Sequence, residues 1–342
     1  MPQTTYGRLI EGEAAIMERQ YREFLSQPVD QEWIPEIPET DRFQTTLAKP
    51  VSVTGPGTFF GRAQRTLHFE PTHNEGWWFD RTDLPDAMPI KVSASTVWTT
   101  QRNIVLCSGS PHNYMRMVEH IVALKPALAL DNVMIRMDSG DPPLFDRGSM
   151  DLVEGIERAG IERTTQPIRY VTVKEPVTLL APNGSFLVIT PCTSPKPELN
   201  LDVAVNFKTA IGKQRLRTRL TPETGRYGAL ARTNCSFTQM LFTKTIGKLF
   251  ADVRNLGYTN NNILVAGKRG YYNEPKLIHN GKALEPVWHR TVLDLVAAIA
   301  LIDSGRFVGN VCSYKAGHAL DVDMVRKLYE LDLFCPFQPA GF

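Results

Sequence analysis

The sequence has no strong charge of either sign. Its 342 residues carry 38 Lys and Arg against 36 Asp and Glu, a net charge of +2. A protein that grips nucleic acid through its phosphates is usually far more basic, so that class is set aside. Long apolar runs are missing too. The longest uncharged one, Leu295 to Ile302, is far short of the ~20 residues that a membrane-spanning helix needs. Near the start, Arg8, Glu11, Glu13 and Glu18 interrupt any apolar stretch, so no secretory leader is expected. Cysteine is sparse: Cys107, Cys192, Cys235, Cys312 and Cys335 are odd in number, widely spaced and form no CxxC pair. That argues against a disulfide framework and against a thiolate zinc knuckle. A reducing cytoplasm is the expected compartment. No short-period repeat is visible.

What is present is an ordinary globular composition, 42% hydrophobic and 22% charged, with 16 Phe, 10 Tyr and 5 Trp to bury. The length suggests two domains. Residues 9–26 carry Ile10, Ala14, Met17, Tyr21 and Phe24 at helical spacing. Gln27 to Asp41, with Pro28, Pro35 and Pro38, reads as a linker or an extended wrap. Residues 1–45 are therefore expected to be a helix-and-linker extension that packs without chemistry of its own. Short strand-like segments follow, such as Val51–Thr54, Arg65–Phe69, Ile90–Ser93 and Asn103–Cys107. A helix is expected over 113–128, a strand over 132–137 and a helix over 150–159. More strands are expected over 168–173, 177–181, 185–191 and 199–207. Helices are expected over 236–256, 286–303 and 321–330. Strand runs mixed with helix runs, without strict alternation, indicate an α+β fold. A boundary near residues 161–167 divides a first α+β domain, 46–164, from a second, 165–342.

Three of the seven histidines stand in suggestive places. His120 follows Glu119 on an expected helix. His289 opens a helix that carries Asp294. His318 lies in Lys315-Ala316-Gly317-His318-Ala319-Leu320. Each alone is more often a hydrogen-bonded core or surface residue than a ligand. Together they suit one kind of site: two His and a carboxylate leave a zinc position open for water. Zinc lowers the pKa of that water to about 7. A nearby Glu can take the proton, and a His can protonate a leaving amine.

The stretch Met117-Val118-Glu119-His120-Ile121-Val122-Ala123-Leu124, followed by Leu130-Asp131-Asn132-Val133, resembles the UDP-3-O-acyl-N-acetylglucosamine deacetylases of lipid A biosynthesis. Further stretches resemble the same family in the same order: Val53–Gly57, Asp141–Ser149, Ala231-Arg232-Thr233, Trp288-His289-Arg290 and Tyr314–Leu320. The resemblance implies two α+β domains of related topology, each a sheet layered with helices, with the active site in the cleft between them. It implies a Zn2+ ion held by His120, His289 and Asp294. Glu119 would be the general base, His318 the general acid, and Thr233 a holder of the oxyanion. Substrate contacts would include Arg290, Lys315 and Phe59. The implied reaction is hydrolysis of the N-acetyl amide on a UDP-linked, O-acylated glucosamine. A small nucleotide-sugar or acylated-sugar substrate is thus the expected partner.

Three departures from the family pattern stand out. The family spaces its second-helix ligands His-x-x-x-Asp, whereas His289 and Asp294 are one residue further apart. On a regular helix, five positions turn side chains about 140° apart, too far to share a metal. A π-bulge would restore the shared face; alternatively, His289 lies just before the regular helix. Second, the family carries another Asp one turn after the ligand Asp, supporting the acid His, and Ala298 stands there. Third, a family His gives way to Phe59. A binding protein on the deacetylase scaffold, or a zinc amidase with a different N-acyl substrate, therefore stays open. Finally, Arg215, Arg217 and Arg219 alternate along a strand and share a face, which suits a phosphate or plain solvent.

Overall fold

The computed structural model describes residues 6–37, 41–57, 63–236, 259 and 261–340. Two mixed sheets dominate. The larger runs in the spatial order Arg8–Glu11, Val177–Leu180, Phe186–Thr190, Gly309–Tyr314, Leu199–Asn206, Lys213–Arg219, Gln31–Trp33. The smaller runs Val51–Pro56, Gln64–Pro71, Val133–Met137, Trp77–Arg81, Ile90–Lys91. Helices lie against them, so the α+β expectation holds.

The helix Met150–Ala159 falls where its apolar spacing places it. It meets Val51–Pro56 closely, and a Cβ at Gly155 would come within 2.5 Å of Val53. Most of the other buried apolar residues form one cluster that runs from Leu47 to Leu333, through both halves of the chain. At its centre is the wholly apolar stretch Val296–Ala300, packed on the short helices Glu119–Val122 and Leu124–Ala127. Residues 161–167, expected to mark the boundary, form a strand paired antiparallel with Phe43–Leu47.

The N-terminal segment differs from its expected form. Residues 9–26 are not one helix. Arg8–Glu11 is a strand and the helix is Ala14–Ser26. Gly12 separates them at φ +110°, a conformation open to glycine. The strand pairs parallel with Val177–Leu180 at one edge of the larger sheet, and Gln31–Trp33 pairs parallel with Leu216–Thr218 at the other. Between them the helix buries Met17 and Phe24 on Phe186, Val188, Ala204 and Tyr314. The segment thus covers both sheet edges, where unpaired backbone groups would otherwise be exposed.

Residues 113–128 also differ. They form a strand, Tyr114–Arg116, then the two short helices. Met117 turns the chain at φ +52° between strand and helix, which a helical periodicity cannot reveal. The last helix begins earlier than expected, at His318. The helix expected over 236–256 lies almost wholly outside the described residues; Thr233–Ser236 is a strand paired with Ile263–Ala266.

Candidate active site

Four segments bring six side chains together. Glu119 and His120 open the short helix after the Met117 turn. His289 and Asp294 lie on the central helix, Thr233 at the start of its strand, and His318 at the first position of the last helix.

The central helix resolves the spacing problem. After one α-helical turn, Glu285–Trp288, residues His289–Leu295 wind as a π-helix. Its hydrogen bonds reach five residues rather than four, so residues five apart share a face. His289 Nδ1 accordingly lies 3.5 Å from Asp294 Oδ2. The opposite ring nitrogen, Nε2, is 2.9 Å from His120 Nε2 and 3.0 Å from Thr233 Oγ1. Thr233 Oγ1 is also 3.4 Å from His120 Nε2. His318 Nε2 closes the group, 3.6 Å from Asp294 Oδ1 and 3.9 Å from Glu119 Oε1.

The electrostatics divide these groups by role. Burial pushes the imidazolium of His120 down to about 3, and His289 beside it adds to the effect. It is therefore neutral, with a lone pair to donate. Burial works against ionised Asp294, but His289 and His318 outweigh it and hold the carboxyl well below its usual range. Burial raises Glu119, against the pull of His318. The Ile104 backbone N–H donates to Glu119 Oε1 and fixes it. Burial would lower His318, but Asp294, Glu119 and Asp321 outweigh it and favour the charged ring. A raised carboxylic acid and a raised imidazole, side by side, are what a base and an acid at neutral pH require.

Two imidazoles and a carboxylate are the donor chemistry of a zinc site. Asp294, however, faces the far nitrogen of His289 rather than the His120–His289 pair. Among the described residues, no three His, Cys, Asp or Glu side chains already form a metal cluster.

Two supports were not anticipated. Glu285 is fully buried and accepts from Arg232 Nε at 2.7 Å and from the Arg232 backbone N–H at 2.9 Å. This ties the segment carrying Thr233 to the helix carrying His289. Glu285-Pro286 announces a helix start in the sequence, but nothing there announces its partner. Between Glu285 and His289, buried Trp288 packs on Trp33 and donates from Nε1 to Gln31 Oε1 at 2.9 Å. The N-terminal segment therefore braces the helix at the residue before His289.

The expected substrate contacts fare differently. Arg290 is buried and points away to Asp321, Ser313 and Ala316. Lys315 lies 3.4 Å from Glu23 and over the Tyr314 ring. Phe59 lies outside the described residues. Arg215, Arg217 and Arg219 do share a strand face, but the structure gives that face another use. Arg215 binds Asp202 through Nε and Nη2 at 2.8 and 2.7 Å, and donates from Nη1 to Phe24 O and Gln27 O. Arg217 joins it on Asp202, and Arg219 pairs with Glu198 and donates to Pro35 O. Arg215 and Arg219 hold the N-terminal segment and Arg217 shares Asp202 with Arg215, so protein groups and not a phosphate occupy this face. Ala298 is buried in the apolar centre of its helix.

The description of the UDP-3-O-acyl N-acetylglycosamine deacetylase family matches residues 44–330. The chain belongs to this family. A UDP-3-O-acyl-N-acetylglucosamine deacetylase of Trichormus variabilis is 28% identical over 297 residues, covering 84% of this chain and 99% of the relative. One from Bdellovibrio bacteriovorus is 29% identical over 290 residues, covering 84% and 90%. One from Brucella ovis is 27% identical over 296 residues, covering 84% and 95%. The family match begins after the edge-forming segment, so the bracing of this deacetylase-family chain by Gln31 and Trp33 comes from outside the matched region.

Proposed function

We propose that this chain is a zinc-dependent deacetylase that hydrolyses the N-acetyl amide of UDP-3-O-acyl-N-acetylglucosamine, a step of lipid A biosynthesis. One observation carries the reading: the π-helical turn places His289 and Asp294 on one face, against His120, Thr233 and His318.

His120, His289 and Asp294 would hold the ion, which when bound polarises the amide carbonyl and makes water acidic enough to attack near neutral pH. Glu119, its carboxyl raised by burial and held by Ile104 N–H, takes the proton of the attacking water. The Thr233 hydroxyl donates to the oxyanion as the carbonyl becomes tetrahedral. His318 passes its Nε2 proton to the leaving amine, which must be protonated to depart. Lys315, loosely held by Glu23, is the cation offered to the substrate's diphosphate.

The test joins metal content with turnover. Purified protein is expected to hold about one zinc per chain, and His289→Ala to lose it. Glu119→Gln is expected to keep zinc and lose turnover by at least about a hundredfold, the scale of a positioned acid or base. Zinc-free protein that stays zinc-free after metal is added would sink the reading. Ala298 favours one rival, a scaffold that binds the nucleotide sugar without turning it over. Saturable binding of the substrate by a zinc-loaded protein with no acetate release would establish it.

A further inference from the structure

The loop before His318 has little of its own to hold it. Lys315 stands at φ +53°, a strained value for a residue with a side chain. Gly317 begins the last helix without a side-chain cap. What reaches this loop is Arg290, from the π-helical turn, next in sequence to His289. Its Nε donates to Ala316 O at 2.9 Å. Its Nη2 donates to Ser313 Oγ at 3.0 Å and to Asp321 Oδ1 at 2.6 Å. One guanidinium thus grips the strand end, the loop and the helix that together present His318.

Asp321 lies one turn after His318 on the same helix and is 1% exposed. Its backbone N–H returns to Gly317 O at 3.1 Å. Asp321 Oδ2, Arg290 Nη1 and His318 Nδ1 are all buried without a hydrogen-bond partner among the described residues. Three such atoms, two on the Arg290–Asp321 pair and one on His318 of the same helix as Asp321, are unusual, since buried polar groups are normally paired. Through Ala316 O and Asp321 Oδ1, Arg290 holds the chain on both sides of His318. An apolar pair of similar volume is often as stable as a buried ion pair, so stability alone does not call for the charges here.

We infer that Arg290 and Asp321 are positioning residues: the buried pair sets His318 in register with Asp294 and Glu119, and so does from the last helix what a carboxylate at position 298 would do from the central one. The inference rests on the deacetylase reading for its kinetic part and on the geometry alone for the rest.

Asp321→Asn is expected to lower kcat on UDP-3-O-acyl-N-acetylglucosamine by about ten- to a hundredfold, the usual cost of losing a partner that orients a working His. KM should stay within about twofold, since the pair does not face substrate, and Asp321→Glu should recover part of the loss. In a His318→Ala background the Asp321→Asn change should cost nothing further, because residues acting as one unit are not additive. Should Asp321→Asn fail to fold, Arg290→Met with Asp321→Leu removes both charges and keeps the volume. In parallel, the carbon–proton signal of the His318 ring, identified by its loss in His318→Gln, should move in Asp321→Asn. Equal losses with and without His318, or an unmoved His318 signal, would overturn the inference. Wild-type protein without turnover would sink the deacetylase reading instead, and the ring signal would still decide the pairing.

Discussion

His289 Nδ1 and Asp294 Oδ2 lie 3.5 Å apart although they stand five positions apart along one helix. On α-helical geometry they would diverge by about 140°. The π-turn His289–Leu295 removes that divergence. Deleting Thr291, inside the turn, should convert it to a regular helix with the two residues four apart, still on one face. The deletion variant is expected to keep its zinc, whereas inserting one Ala after Thr291 should abolish it. Metal analysis of both proteins checks this, and zinc loss in the deletion alone would count against the shared-face account.

Arg232 and Glu285 form an ion pair at 2.7 Å with almost no exposure on either side. Breaking such a pair strands a charge in the core and costs about 3–5 kcal/mol. Glu285→Gln should therefore unfold at distinctly lower urea than the wild type. Replacing both, Arg232→Met with Glu285→Leu, should cost less than the single change. Urea midpoints with unchanged slopes would show that stability alone has moved.

Lys125 offers a pH signature. Its ammonium donates to Ala300 O at 3.1 Å and Ile302 O at 3.4 Å, at the end of the central helix. Burial pushes it down to about 8 from an ordinary 10.5, despite Asp131 and Asp303. The folded protein thus releases this proton before the unfolded chain does. Between about pH 8 and 10.5 the unfolded state binds more protons, so this group's contribution to stability rises with pH. Below about 8 its cost is constant. The stability of wild type minus that of Lys125→Met should rise across that window; a flat difference would contradict it.

Phe24 packs its ring against Phe186 and Tyr314, under the Arg215 guanidinium at 4.1 Å. Phe24→Ala should cost about 3–5 kcal/mol. Because Gln31 and Trp33 brace Trp288, the same change should weaken zinc retention without touching a ligand. Limited proteolysis should then cut first before Gln31.

The expectations fail and succeed for identifiable reasons. Alternation and apolar spacing located the helix Met150–Ala159 and the strands after residue 168, because burial on one face leaves a periodic trace. The Met117 turn leaves none, so nothing in the sequence sets the strand Tyr114–Arg116 apart from the helices after it. Glu119, His120, His289 and His318 were legible as residue types that suit one chemistry. The π-turn was legible only as an alternative, since spacing shows a misfit and not its remedy. The arginine strand shows why a shared face is not a function: alternation reveals which side chains align, but not that Asp202, Glu198 and the N-terminal backbone fill the space before them. Asp321 escaped notice because the last helix starts three residues earlier than its apolar pattern.

The placement of the N-terminal segment also orders events in time. Its two edge strands find partners only near residues 177 and 216. The bond from Thr218 to Trp33 O spans 185 positions. At ribosomal speed, those partners emerge on the order of ten seconds or more after the segment itself. Contacts of such long range also close slowly. This early segment thus settles late, and the brace on Trp288 is set only once the rest of the larger sheet exists to receive it.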